Sequence, residues 1–141
     1  MIHFNGTVPG PTLRAKKGDV VEISLHNQMM ERVVSLHVHG FLFAMQPWQD
    51  GVSMVTQCPV LPGQRYQYRF VVQQAAGSYW YHSHVAGQVG DGAFGSFIIE
   101  EDDGGNGDGN VLDQVMAISA WWWRDQVGCR CSSFNTHSPT F

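Results

Sequence analysis

The chain has 141 residues, enough for one domain with a buried core, and its 43% hydrophobic content excludes a disordered polypeptide. Only 14% of residues are charged, well below the share usual in globular proteins, which favours a β-rich domain with few charged helices. The net charge is −4 and the basic residues are scattered apart from Arg14-Ala15-Lys16-Lys17, so no nucleic-acid footprint is present, and no apolar run is long enough to span a membrane as a helix.

Met1-Ile2-His3-Phe4-Asn5-Gly6 lacks the charged-then-apolar order of a secretion signal. Asn5-Gly6 and Pro9-Gly10-Pro11 read as turns, and Arg14-Ala15-Lys16-Lys17 reads as a solvated turn before Gly18-Asp19. From Asp19 to Asn27, Val21, Ile23 and Leu25 alternate with Glu22, Ser24 and His26, the period-two pattern of a half-buried strand. Val33 to His39 is a second, largely apolar strand. Gln46 to Gly63 carries Pro47, Asp50-Gly51, Pro59 and Pro62-Gly63 and reads as a loop; beyond it Tyr66, Tyr68, Phe70 and Val72 alternate with Gln67 and Arg69 as another strand. Gly77 to His84 and Ser96 to Glu100 complete the set. Without an amphipathic helical window, strands at this spacing predict an all-β fold over residues 1–101, an antiparallel sandwich or small barrel.

Residues 102–110 are acidic and glycine-rich. No register places calcium ligands at the required offsets, so they read as a solvated linker. In 111–141, Val111 to Ala120 reads as one more strand, followed by Trp121-Trp122-Trp123 and a polar tail. Alternate strand side chains diverge, so three adjacent tryptophans cannot all face one core, and at least one needs a partner surface. Cys58, Cys129 and Cys131 cannot all pair with one another; Cys58 is either a buried free thiol or half of a disulfide.

Four of the seven histidines fall in two triplets, His37-Val38-His39 and His82-Ser83-His84. On a strand, residues i and i+2 share a face about 6.6–7 Å apart, so each triplet presents two imidazoles side by side. That spacing is wide for two rings chelating one ion and suits rings that reach different ions of a compact cluster. A single pair could equally be two hydrogen-bonded core histidines, but two pairs in one small domain favour a metal site, imidazole being the commonest transition-metal ligand. An all-imidazole set without thiolate suits Cu(II), with zinc as the alternative.

From Phe4 to Asp125 the chain resembles the N-terminal, plastocyanin-like domain of multicopper oxidases of the laccase and ascorbate-oxidase group. The resemblance is carried by Asn5-Gly6 through Pro9-Gly10-Pro11-Thr12, His37-Val38-His39-Gly40, Trp48-Gln49-Asp50-Gly51, Thr56-Gln57-Cys58-Pro59, Pro62-Gly63 and Gly77-Ser78-Tyr79-Trp80-Tyr81-His82-Ser83-His84, then Gln88 and Asp91-Gly92. It implies a cupredoxin-like Greek-key β-sandwich. It also implies that these histidines supply half the ligands of a trinuclear copper cluster: His37 for the type 2 copper, His39 and His82 for one type 3 copper, His84 for the other. Asp50 matches an acid thought to orient water and assist proton delivery to dioxygen as it is reduced; from the residues alone, Asp50-Gly51 is simple turn chemistry. Trp48, Trp80 and Tyr81 read as packing residues rather than electron relays.

The departures from the family pattern shape the expectation equally. Family members draw four further histidines from a complementary cupredoxin domain and accept electrons at a type 1 copper in a His-Cys-His segment. This chain has neither set, so it is expected to be a fragment that needs a partner for oxidase activity. Cys58 matches a position that in some laccases is disulfide-bonded to a distant C-terminal cysteine. By resemblance the protein is extracellular, and its electron donors are phenols or similar molecules. The competing reading is a non-catalytic copper-binding module or an inactive truncated fragment; a mononuclear zinc hydrolase lacks an obvious general base.

Overall fold

The computed structural model describes residues 1–101 and 115–119. Six strands carry the architecture: β1 (Gly10–Lys16), β2 (Val20–His26), β3 (His37–His39), β4 (Arg65–Val71), β5 (Gly77–His82) and β6 (Phe94–Glu100), with one 3₁₀ turn at Pro47–Gln49. They form a four-stranded sheet in the order β1-β6-β5-β3 and a two-stranded β2-β4 sheet. The expected all-β sandwich is present. Its core lies between the layers, where Ala15, Val34, Leu36, Val38, Tyr81, Phe97 and Ile99 meet Leu25, Tyr68, Phe70 and Val72. The alternation read in β2 and β4 is the burial pattern observed, with Leu25, Tyr68 and Phe70 facing inward.

Three elements differ from the sequence reading. The basic segment Arg14–Lys16 is part of β1, which pairs parallel with β6, so the larger sheet is mixed rather than purely antiparallel. Here Ala15 is buried while Arg14 reaches Glu100 at 2.9 Å. Pro11 is accommodated because β1 is an edge strand whose register shifts between Gly10 and Leu13. The strand expected over Val33–His39 shortens to His37–His39, because side chains take the backbone groups that a ladder would use. Gln88 Nε2 donates to the Val33 carbonyl (2.7 Å) and Leu36 N donates to Tyr68 Oη (3.0 Å), leaving Val34 as a single bridge to Val60. Finally, Val115–Ser119 has no regular structure, and the rest of the strand proposed over 111–120, the linker 102–110 and the tryptophan run fall outside the described residues.

Two glycines let β5 sit deep in the sandwich. Tyr81 packs against Phe4 and donates its hydroxyl to the Pro11 carbonyl (2.7 Å). A Cβ on Gly10 would come within 2.5 Å of that hydroxyl, and one on Gly95 would overlap the Tyr81 ring. Tyr81 thus holds the core face of β5 against β1 and β6. Alternation then sends Trp80 and His82 to the opposite face.

Candidate metal centre

β3 pairs antiparallel with β5 in a register that sets His37 opposite His82, Val38 opposite Tyr81 and His39 opposite Trp80. Because directly paired residues share a face, three imidazoles and one indole form a single patch on the outer side of the sheet, and Val38 and Tyr81 enter the core beneath them. His84 follows the end of β5 and folds over the same patch. Its ring centroid lies 5.3 Å from that of His37 and 5.9 Å from that of His82. All four sequence-predicted histidines therefore converge.

The cross-strand pairing tightens the group beyond what the spacing along one strand suggested. His37 and His39 turn toward each other with centroids 5.7 Å apart, and the ligand atoms of His37, His39 and His82 all lie within 4.8 Å of one another. Two of these rings have fixed tautomers. His37 Nδ1 sits 2.6 Å from the Asp50 carbonyl oxygen, which can only accept, so that nitrogen carries the proton and Nε2 keeps the lone pair. His82 Nδ1 likewise donates to the Ser83 carbonyl (3.0 Å), and its Nε2 is buried with no hydrogen-bond partner. A buried, orphaned acceptor facing other imidazoles is costly unless something binds it, and a cation fits that need. Burial, reinforced by His37, His39 and His84, lowers the pKa of His82 below 6.5 and so keeps it neutral, the form a metal requires.

The supports of the patch are local and specific. Asp50 closes the 3₁₀ turn, and besides its carbonyl it sets Oδ1 3.3 Å from His37 Nδ1. Gly51 follows at φ +75°, where an added Cβ would strike the Leu36 carbonyl oxygen just ahead of β3. The loop can approach β3 this closely only with glycine there. Trp80 stacks on His82 at 4.2 Å and on His39 at 5.1 Å, fixing both ring planes. Packing against the metal-ligating rings is the role expected of Trp80 from sequence, and the β3–β5 register shows which rings it meets by setting it opposite His39.

One group was missed. Ser83 alternates to the buried side, where its Oγ donates to Gln88 Oε1 at 2.6 Å while Gln88 Nε2 holds the Val33 carbonyl. Ser83 is 1% exposed and Gln88 also 1%. This bridge ties the turn carrying His84 to the segment entering β3, so both histidine pairs share one scaffold. Gln88 is visible in the sequence among the residues that carry the resemblance, but its bond to Ser83 depends on the burial of both and is not. Cys58, by contrast, is exposed rather than buried and has no disulfide partner among the described residues.

Residues 1–104 match the family profile described as "Multicopper oxidase". The chain is 52% identical over 103 residues to "Iron transport multicopper oxidase FET3" of Candida albicans, covering 73% of this chain and 16% of that protein. It is 37% identical over 127 residues to "L-ascorbate oxidase" of Cucumis sativus, covering 90% of this chain and 22% of that protein, and 46% identical over 102 residues to "Laccase-1" of Agaricus bisporus, covering 70% and 20%. Among solved structures, the crystal structure of a laccase from Botrytis aclada superposes with a TM-score of 0.67 at 45% identity, covering 69% of this chain and 18% of that one. Fet3p, described as "a Multicopper Oxidase that Functions in Iron Import", superposes with a TM-score of 0.66 at 44% identity, covering 70% and 19%. The chain thus spans about a fifth of the length of these relatives.

Proposed function

As the chain belongs to the multicopper oxidase family, we propose that its His37, His39, His82 and His84 supply half the ligands of a trinuclear copper cluster completed by a complementary cupredoxin domain. In this reading His37 holds the type 2 copper, His39 and His82 one type 3 copper and His84 the other. Copper bound there supplies the redox chemistry by which dioxygen is reduced to water at the expense of phenolic or similar donors. The relatives' names point to iron transport and ascorbate as well as laccase chemistry. The related laccase and ascorbate oxidase also support a secreted, extracellular protein, and no described helix is long and apolar enough to cross a membrane.

The chain's own residues do three things here. Asp50 holds His37 Nδ1–H through its carbonyl, aiming Nε2 outward. Its half-buried carboxylate sits beside that ring, where it can order water and relay a proton toward reduced oxygen. Trp80 and the Ser83–Gln88 bridge fix the remaining rings and keep water from their inner edges.

The observation that carries this reading is the unpartnered, buried Nε2 of His82 facing the rings of His37 and His39. The test is to load the purified chain with copper and record absorption, spin resonance and phenol turnover. The expected result is copper binding without an intense blue band, and no turnover until a complementary domain is supplied. A folded chain that takes up no copper overturns the proposal. A second reading, a non-catalytic module holding one or two ions, draws on the three ligand atoms lying within 4.8 Å of one another, and it predicts copper binding by the chain alone with no gain from any added domain.

A further inference from the structure

We propose that Asn5 is a site of N-linked glycosylation. Asn5-Gly6-Thr7 is the single Asn-x-Ser/Thr triplet in the chain; Asn27, Asn106, Asn110 and Asn135 are followed two positions on by Met29, Asp108, Leu112 and His137. An asparagine followed two residues later by a hydroxyl residue, with no proline between, is the acceptor for this modification.

The fold presents the triplet openly. Phe4 and Thr7 form an antiparallel bridge closed by Thr7 N–H donating to the Phe4 carbonyl at 3.2 Å, with Asn5 and Gly6 between them. Asn5 has φ +50° and Gly6 φ +80°, the pair of positive angles that a two-residue type I′ turn demands and that Asn-Gly supplies best. Asn5, Gly6 and Thr7 are all exposed, and a Cβ built on Gly6 meets nothing within 4 Å. Asn27 shows the opposite case: it is 2% exposed, with Nδ2 donating to the Arg32 and Val60 carbonyls at 2.7 and 2.9 Å. A sugar there would break the core, whereas at Asn5 it leaves from a turn tip. The turn is anchored by Phe4 against Tyr81, which lies on the face of β5 opposite His82, so the glycan and the imidazoles occupy different sides of the sheet.

In the transfer step, Asn5 Nδ2 bonds to the anomeric carbon of an oligosaccharide carried on a lipid pyrophosphate. The carbon–oxygen bond to the pyrophosphate breaks, the lipid pyrophosphate leaves, and the amide releases one proton; nothing is oxidised or reduced. The sugar is added as the chain enters the secretory route, before it folds, so the fold must only leave room for it. The inference rests on the extracellular reading above.

The test is to express the full chain behind a secretion leader in a eukaryotic host. Residue 5 is then mapped by mass spectrometry in both medium and membrane fractions, after an N-glycosidase that converts glycosylated Asn to Asp in heavy-oxygen water. Wild type and Thr7→Ser are expected to carry the label at residue 5, and Asn5→Gln and Thr7→Ala to lose it completely along with the heavier gel band. Unlabelled Asn5 in wild-type chain from both fractions overturns the proposal. Because the readout is the mass at one residue and does not involve copper, that result would leave the histidine reading standing.

Discussion

Gly51 and Gly63 both sit at φ +75°, yet their surroundings differ completely. A Cβ on Gly63 meets nothing within 4 Å; on Gly51 it overlaps the Leu36 carbonyl oxygen and lies 2.6 Å from the carbonyl carbon and 3.1 Å from His37 Cα. Gly63→Ala therefore incurs only the left-handed backbone cost, about 1 kcal/mol. Gly51→Ala incurs the same cost plus about 1–3 kcal/mol of overpacking against backbone, for about 2–4 kcal/mol in all. At roughly 5 °C per kcal/mol for a domain of this size, the expected drops in Tm are about 5 °C and about 10–20 °C. The functional consequence separates them further. Relieving the clash moves the loop away from β3 and draws the Asp50 carbonyl off His37, an outer-sphere loss that lowers copper affinity by about 10–100-fold. Thermal melts of the metal-free chains and copper titrations against a competing chelator measure both effects. Equal melting temperatures and equal copper affinities for the two variants would refute the idea that this close approach positions His37.

Replacing Gln88 with Ala removes the bridge between Ser83 and the Val33 carbonyl and should destabilise the chain by about 2–4 kcal/mol in urea unfolding. Trp80→Ala frees the rings of His39 and His82 and should weaken copper binding about 10-fold in chelator competition, with Trp80→Phe recovering most of it because a flat ring remains. For pH, the His82 pKa is depressed in the fold, so the unfolded chain binds the extra proton first. Stability of the metal-free chain should therefore fall as pH drops below 6.5, and His82→Asn should flatten that slope in melts taken across the acid range. At the other extreme, burial raises Tyr68 and Tyr81 from 10 to about 12, so their contribution is intact below pH 10 and disappears as pH climbs toward 12; Tyr68→Phe should reduce this alkaline loss.

The strands with period-two alternation were legible because one face of each is buried: Val21, Ile23 and Leu25 in β2, and Tyr66, Tyr68 and Phe70 in β4, announce their own orientation. β1 was not, since it is an edge strand in which Ala15 is the one buried residue with a side chain and Gly10 the other buried position, set among proline and basic residues that mimic a turn. The strand ahead of His37 was over-read for the converse reason. Val34 and Leu36 are as apolar as a strand requires, but whether their backbone pairs with a strand or with Tyr68 and Gln88 depends on residues more than 30 positions away. The four histidines could be named from sequence because ligand chemistry is written in residue type. Their approach to one another could not, because it arises from the pairing of β3 with β5.

The unpaired nitrogen of His82 also bears on the life of the chain before it meets metal. Holding a dehydrated acceptor in reserve costs a protein of this size about 1–3 kcal/mol, a noticeable part of its whole margin against unfolding. The empty form is then the fragile one. An ion that binds this nitrogen would recover that cost, so the loaded chain is expected to melt at a higher temperature than the metal-free one.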